Sequence, residues 1–177
     1  MKVISMFAGC GGLDLGLQNA GHKIVFASDI DKDSCETYNL NFKHKCHQQD
    51  IKELDTSIFP NYDILVGGFP CQGFSIANLY RSSEDDRNSL YQEIIRLLDE
   101  TSPKFFLAEN VPGILSLEKG KAVELIQQGF ESAGNGYEVR RYLLNAAEYG
   151  VPQNRKRVIF LGISKCFSKE HRNKMYA

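Results

Sequence analysis

Gly67-Gly68-Phe69-Pro70-Cys71-Gln72-Gly73-Phe74-Ser75 follows directly on an apolar run, Tyr62-Asp63-Ile64-Leu65-Val66. The run has the length and composition of a buried strand in a parallel sheet. Glycines and a proline then end it, so the chain turns sharply where a thiol is presented. In open α/β sheets, ligands bind beyond the carboxyl ends of the strands, and Cys71 follows such an end. A buried cysteine packs as a small hydrophobe. A thiol in a tight Gly/Pro loop is poorly placed for that and well placed for chemistry.

Upstream, Lys2-Val3-Ile4-Ser5-Met6-Phe7 reads as the first strand. It runs into Ala8-Gly9-Cys10-Gly11-Gly12 and then Leu13-Asp14-Leu15-Gly16-Leu17, with Leu13 and Leu17 on one helical face. Strand, glycine-rich turn and helix open a nucleotide-binding α/β fold, in which glycines let backbone approach a ligand. Lys23 to Ser28 reads as the second strand, ending in Asp29-Ile30-Asp31. An acid at that end, about 20 residues past the glycine turn, is where a ribose hydroxyl pair is held. Asp29 also suits a helix N-cap, a task Asp31 fills better. Spacing alone leaves dinucleotides and S-adenosylmethionine equally open.

Downstream, Ile76 to Arg87 is polar and charged, as in a lid that closes over a substrate. Asn88 to Asp99 has the apolar spacing of a helix, and Lys104 to Ala108 reads as a buried strand ending at Glu109-Asn110-Val111-Pro112-Gly113. Glu109 thus shares the sheet edge of Asp29 and Cys71; a cap or a pairing with an arginine is its simpler role. Residues 33–41 and 121–132 read as helices, with a short strand at 45–49. Tyr137 to Leu144 and Arg157 to Ile163 read as strands joined by a loop carrying Gln153, Asn154 and Arg155.

The loop Gly68 to Ser75 closely resembles the catalytic loop of the cytosine-5 DNA methyltransferases. Phe7 to Leu17, Glu109-Asn110-Val111 and Gln153 to Arg157 match the same family, in its order. The resemblance implies an α/β Rossmann-like fold, with a mostly parallel sheet, helices on both faces and an incomplete C-terminal end. It implies S-adenosylmethionine as cofactor. Phe7 and Ile30 would flank the adenine, Asp29 would take the ribose, and Gly9, Gly11 and Gly12 would face the methionine part. Asp50 would reach the adenine amino group, with Ile51, Pro70 and Leu90 completing that site. Many members carry glycine where Asn88 stands here.

The reaction implied is methyl transfer to carbon 5 of cytosine, as in DNA methylation and restriction–modification. Cys71 as thiolate would add at carbon 6 and make carbon 5 nucleophilic. Glu109 would serve ring nitrogen 3, burial keeping it protonated. Arg157 would contact the ring carbonyl and Arg155 would steady loop or ring. A base inside a duplex must be flipped out to reach such a site. Gln72, Ser75 and Asn110 would meet the substrate strand. No residue declares itself as the base for the carbon 5 proton.

Resemblance stops near Ile163, so residues 1–163 read as the catalytic domain and 164–177 as a short basic tail. Complete members continue through a target-recognition region and a further asparagine-containing segment. A split enzyme with a second polypeptide is the preferred reading, beside a truncated reading frame or an engineered fragment. The runner-up functions are a tRNA cytosine methyltransferase relative and a non-catalytic binding or regulatory module.

Composition bounds the rest. A chain of 177 residues suffices for one core-bearing domain. No stretch has the run of apolar residues of a membrane span, and no signal-peptide pattern stands at the start. Five scattered cysteines fit reduced thiols in the cytoplasm, at the nucleoid if bacterial. His44, Cys46 and His47 lack a second ligand pair, so no metal is expected. Net charge is −1, but Arg155 to Ala177 holds seven Lys/Arg against one acidic residue. That end suits phosphate contacts with DNA and equally a solvated tail.

Overall fold

The computed structural model describes residues 1–70 and 90–166. Seven strands, β1 (Lys2–Met6), β2 (Lys23–Asp29), β3 (Cys46–Gln48), β4 (Ile64–Gly68), β5 (Phe105–Asn110), β6 (Tyr137–Asn145) and β7 (Lys156–Ser164), form one sheet in the order β3-β2-β1-β4-β5-β7-β6. β1 to β5 run parallel; β7 is antiparallel to both of its neighbours. This is a Rossmann-like methyltransferase fold, as expected. β4 and β5 run further than expected, taking Gly67, Gly68, Glu109 and Asn110 into the ladder. β7 extends through Ser164, which is buried.

Four described helices cover the sheet: α1 (Gly12–Asn19), α2 (Lys32–Asn41), α3 (Leu90–Thr101) and α4 (Lys121–Ser132). Alternation along each strand sends side chains to opposite faces. Ile4, Met6, Leu65, Phe106 and Phe160 pack with Ile94 and Leu97 of α3 and Ile126 and Phe130 of α4. Val3, Ile64 and Val66 pack on the other face with Cys35 and Tyr38 of α2 and Leu13 and Leu17 of α1. Asp31 caps α2, its Oδ1 accepting from the Ser34 N–H at 2.8 Å, which leaves Asp29 free of that task.

Sheet and α4 meet closely through aromatic rings. Phe130 lies edge-on to Phe160 at 5.6 Å and tilted to Phe106 at 5.0 Å. Phe106 stands over Gly162 so tightly that a Cβ there would lie 2.0 Å from its ring. This contact holds β7 against β5, and so fixes where the start of β7 emerges.

One polar cluster crosses the opposite layer. Asp14, in the first turn of α1, is fully buried between Ser5 Oγ at 2.6 Å and Tyr38 OH at 2.5 Å. His44 Nε2 lies 2.5 Å from the same Tyr38 oxygen. Both hydroxyl protons point to the carboxylate, so the proton shared between Tyr38 and His44 belongs to the imidazole. Burial raises the Asp14 carboxyl and lowers the His44 imidazole from their ordinary values.

Two predictions follow from this packing. Gly162→Ala should destabilise the chain by about 1–3 kcal/mol in chemical denaturation, because the Phe106 ring has nowhere to move; an unchanged midpoint would contradict the contact. For His44, the unfolded chain takes up the proton first, so its contribution is complete above about pH 6.5 and lost as pH falls through the lower folded value. Asp14 has the opposite sign, its contribution being lost as pH rises through its raised folded value. In His44→Gln the imidazole is gone and Asp14 loses the charge that lowers it, and both changes make the variant's stability fall less on acidification. Melting temperature should fall more steeply from pH 7 to pH 5 in wild type than in the variant, whereas parallel curves would refute it.

Candidate active site

β1 ends at Met6, and Phe7 follows with φ 52°, a conformation rare for a bulky aromatic and concentrated at functional sites. The Ala8 N–H donates to the Ser28 carbonyl at 3.1 Å, bringing the turn beside the end of β2. Gly11, at φ 90°, precedes α1; a Cβ on it would lie 2.2 Å from the Phe42 ring. That face of Gly11 therefore rests on the protein's interior. Cβ atoms on Gly9 and Gly12 would meet nothing within 4 Å. Those two glycines border free space.

Asp29 closes the turn from the other side. Its Oδ2 accepts from the Gly9 N–H at 2.8 Å and its Oδ1 from the Asp31 N–H at 2.9 Å. The carboxylate thus holds backbone on both sides while keeping lone pairs for a hydroxyl pair. Beside it, Ile30 is 63% exposed, an apolar side chain at a strand end with nothing folded over it. Asp50 caps the short turn Ile51–Glu53 through the Lys52 N–H at 3.0 Å. The Ile51 side chain is buried in the core, and its carbonyl accepts from Arg96 at 2.8 Å. Leu90, at the start of α3, is half-buried against the same core.

At the end of β5, Glu109 lies opposite Gly68 on one side and Ile159 on the other. Arg157, two residues before Ile159 on β7, therefore shares its face diagonally. Arg157 Nε lies 2.7 Å from Glu109 Oε1, and each side chain is about a quarter exposed. Glu109 is thus half-buried and ion-paired, the arginine pairing weighed from sequence standing beside its burial. A Cβ on Gly68 would lie 3.2 Å from Glu109 Oε2, so the glycine leaves this second oxygen its room.

Asn110 points elsewhere. It is 2% exposed; its Nδ2 donates to the Phe69 carbonyl at 2.9 Å and its Oδ1 accepts from the Val111 N–H at 2.8 Å. Read from sequence as a substrate contact, its amide instead ties the start of the thiol loop to β5. Pro70 is exposed at that point. Cys71, Gln72 and Ser75, and the lid expected over residues 76–87, lie outside the described residues.

Part of the glycine turn and the ion pair line one cavity of about 470 Å³, with Phe7, Gly12, Glu109, Leu144, Tyr149 and Arg157 among its walls, whereas Asp29, Ile30, Asp50 and Leu90 lie outside that lining. The size suits a small-molecule site. Arg155 lines it too, its backbone N–H and carbonyl being held by Asn145 Oδ1 at 3.1 Å and the Ala146 N–H at 3.0 Å. Leu144 and Tyr149 were not anticipated; nothing in their local sequence marks them, because only the β6–β7 pairing brings them here. Among the described residues no group of three or more His, Cys, Asp or Glu could hold a metal ion. No described helix is long and apolar enough to cross a membrane.

Comparison with known proteins agrees with this architecture. The family model of C-5 cytosine-specific DNA methylases matches residues 1–176. Type II methyltransferase M.FnuDI of Fusobacterium nucleatum is 47% identical over 165 residues, 93% of this chain and 47% of the relative. M.NgoPII of Neisseria gonorrhoeae is 43% identical, covering 93% and 48%. Among solved structures, an Escherichia coli prophage protein described as a DNA modification methyltransferase superposes with a TM-score of 0.77 at 34% identity, over 96% of this chain and 49% of that one. Dnmt2 of Schizosaccharomyces pombe, at 24% identity and a TM-score of 0.75 over 96% and 51%, shares the fold. The chain spans about half the length of the curated relatives it matches. Matched by that family model over nearly its whole length, the chain belongs to the C-5 cytosine-specific DNA methylase family.

Proposed function

We propose that this chain is the catalytic part of a DNA cytosine-5 methyltransferase, that residues 1–163 form its catalytic domain, and that it works with a second polypeptide carrying target recognition. One observation carries the reading. The Glu109 carboxylate and the Arg157 guanidinium, 2.7 Å apart, line the same cavity as Phe7, Ala8, Gly12 and Leu13 of the glycine turn and the start of α1. A group that activates a base and a turn that takes a nucleoside cofactor therefore share one space.

The residues present fit S-adenosylmethionine. Gly9 and Gly12 leave open space for close backbone approach, Ile30 offers an uncovered apolar surface, and Asp29 keeps acceptor capacity for ribose hydroxyls. Phe7, Asp50 and Leu90 complete the proposed set. When bound, the cofactor supplies an electrophilic methyl group carried on a sulfonium.

The chain's own groups do the remaining work. Cys71 as thiolate adds to carbon 6 of a flipped cytosine, forming a carbon–sulfur bond and placing electron density on the ring. Glu109 Oε1 is held by Arg157, and Oε2, taking up a proton as the base binds, donates it at ring nitrogen 3, where negative charge develops. Arg157, held by Glu109, brings a fixed donor to the ring carbonyl, and Arg155 steadies the loop or the ring. Asn110 anchors the backbone two residues before Cys71 through the Phe69 carbonyl. Loss of the carbon 5 proton to water and departure of the thiolate from carbon 6 then restore the aromatic ring.

The test is a covalent trap. The chain is mixed with duplex DNA containing 5-fluorocytosine, S-adenosylmethionine and, as a separate polypeptide, the unmatched remainder of M.FnuDI. A stable protein–DNA adduct mapping to Cys71 is expected, absent in Cys71→Ala and reduced at least ~100-fold in rate in Glu109→Gln. No adduct at Cys71 in the complete mixture would overturn the proposal.

A further inference from the structure

Asp14 is a carboxylate with no exposure and no cation bonded to it; its two hydrogen-bonded partners are the hydroxyls of Ser5 and Tyr38. Burying a charge on such terms costs stability, and a small apolar residue would pack there more cheaply. The arrangement makes sense as geometry. Ser5 belongs to β1, Asp14 to α1 and Tyr38 to α2, while His44 adds the connection from α2 to β3. The three elements that flank the glycine turn are thereby joined at one point.

The same tyrosine also supports the turn directly. Its ring stacks on Phe42 with centroids 4.2 Å apart, and the two rings are what a Cβ on Gly11 would strike, Phe42 at 2.2 Å and Tyr38 at 3.0 Å. Raising or tilting Tyr38 therefore moves Gly11, and with it the open glycines on either side. Asp29 holds the turn at the Gly9 N–H; the Tyr38 ring lies under it at Gly11, with Asp14 bonded to the Tyr38 hydroxyl.

We propose that Tyr38, acting through Asp14 and Gly11, is a positioning residue for the cofactor turn. Its hydroxyl fixes the height of residues Phe7 to Leu13 and so sets the affinity for S-adenosylmethionine. The inference rests on the cofactor reading above, but its structural half is measurable without cofactor.

Tyr38→Phe keeps the ring that supports Gly11 and removes only the hydroxyl. In the 177-residue chain, calorimetry should show S-adenosylmethionine binding weakened about tenfold. Amide exchange at Gly9 to Leu15 should quicken by about the same factor without cofactor. Ile126→Val, in the core beneath α4, should lower the melting temperature and leave both quantities unchanged. Ser5→Ala, which removes the partner of Asp14 Oδ1, should move them in the same direction as Tyr38→Phe and serves if that variant does not fold. Wild-type affinity and exchange in Tyr38→Phe would overturn the proposal and leave the hydroxyl a stabilising bond alone. If the wild-type chain binds no cofactor, the cofactor reading fails, and amide exchange still decides whether Tyr38 sets the turn.

Discussion

Strand direction is the constraint on which everything else depends. β1, β2, β4 and β5 run parallel, so all four carboxyl ends reach one edge of the sheet. Each end carries a different feature: the glycine turn, Asp29, the approach to Cys71, and Glu109. β7 runs the other way and brings its amino end, with Arg157, to that same edge. A parallel β7 would carry Arg157 to the far side and leave Glu109 without its partner. The close contact of Phe106 on Gly162 keeps β7 in this register, which links core packing to the geometry of the ion pair.

The site is built largely from backbone held by side chains. Asp29 fastens the turn through the Gly9 N–H, and Asn110 fastens Phe69. Asp14 and Tyr38 prop the turn from below. Such bonds pre-set a site's shape before any ligand arrives, which lowers the cost of ordering it on binding. Phe7 at φ 52° is the local strain that this scaffold sustains.

Much of the fold was legible in the sequence because local patterns suffice for it. Apolar runs gave the strands, and α4 was found with the bounds it has, since Ala122, Val123, Ile126 and Phe130 repeat at helical spacing. Asp31 was recognisable as the α2 cap from its position alone. What stayed hidden depends on register or on distant partners. An arginine partner for Glu109 is a natural reading of a strand-end acid, but only the antiparallel pairing of β5 and β7 shows that it is Arg157. Asn110 sits next to Glu109 in sequence, yet strand alternation turns it from the cavity toward Phe69. Asp14 looks like an ordinary polar residue between leucines; Ser5 and Tyr38, supplied by other elements, make it a buried hub.

We propose that cofactor binding belongs to the carboxyl edge of the sheet. Backbone chemical-shift mapping of the whole chain titrated with S-adenosylhomocysteine tests it most directly. Perturbations should concentrate at Phe7 to Leu13, Asp29 to Asp31 and Glu109 to Val111, and spare Asp63, Lys104 and Tyr137 at the opposite edge. Saturable perturbations centred on that opposite edge would contradict the account.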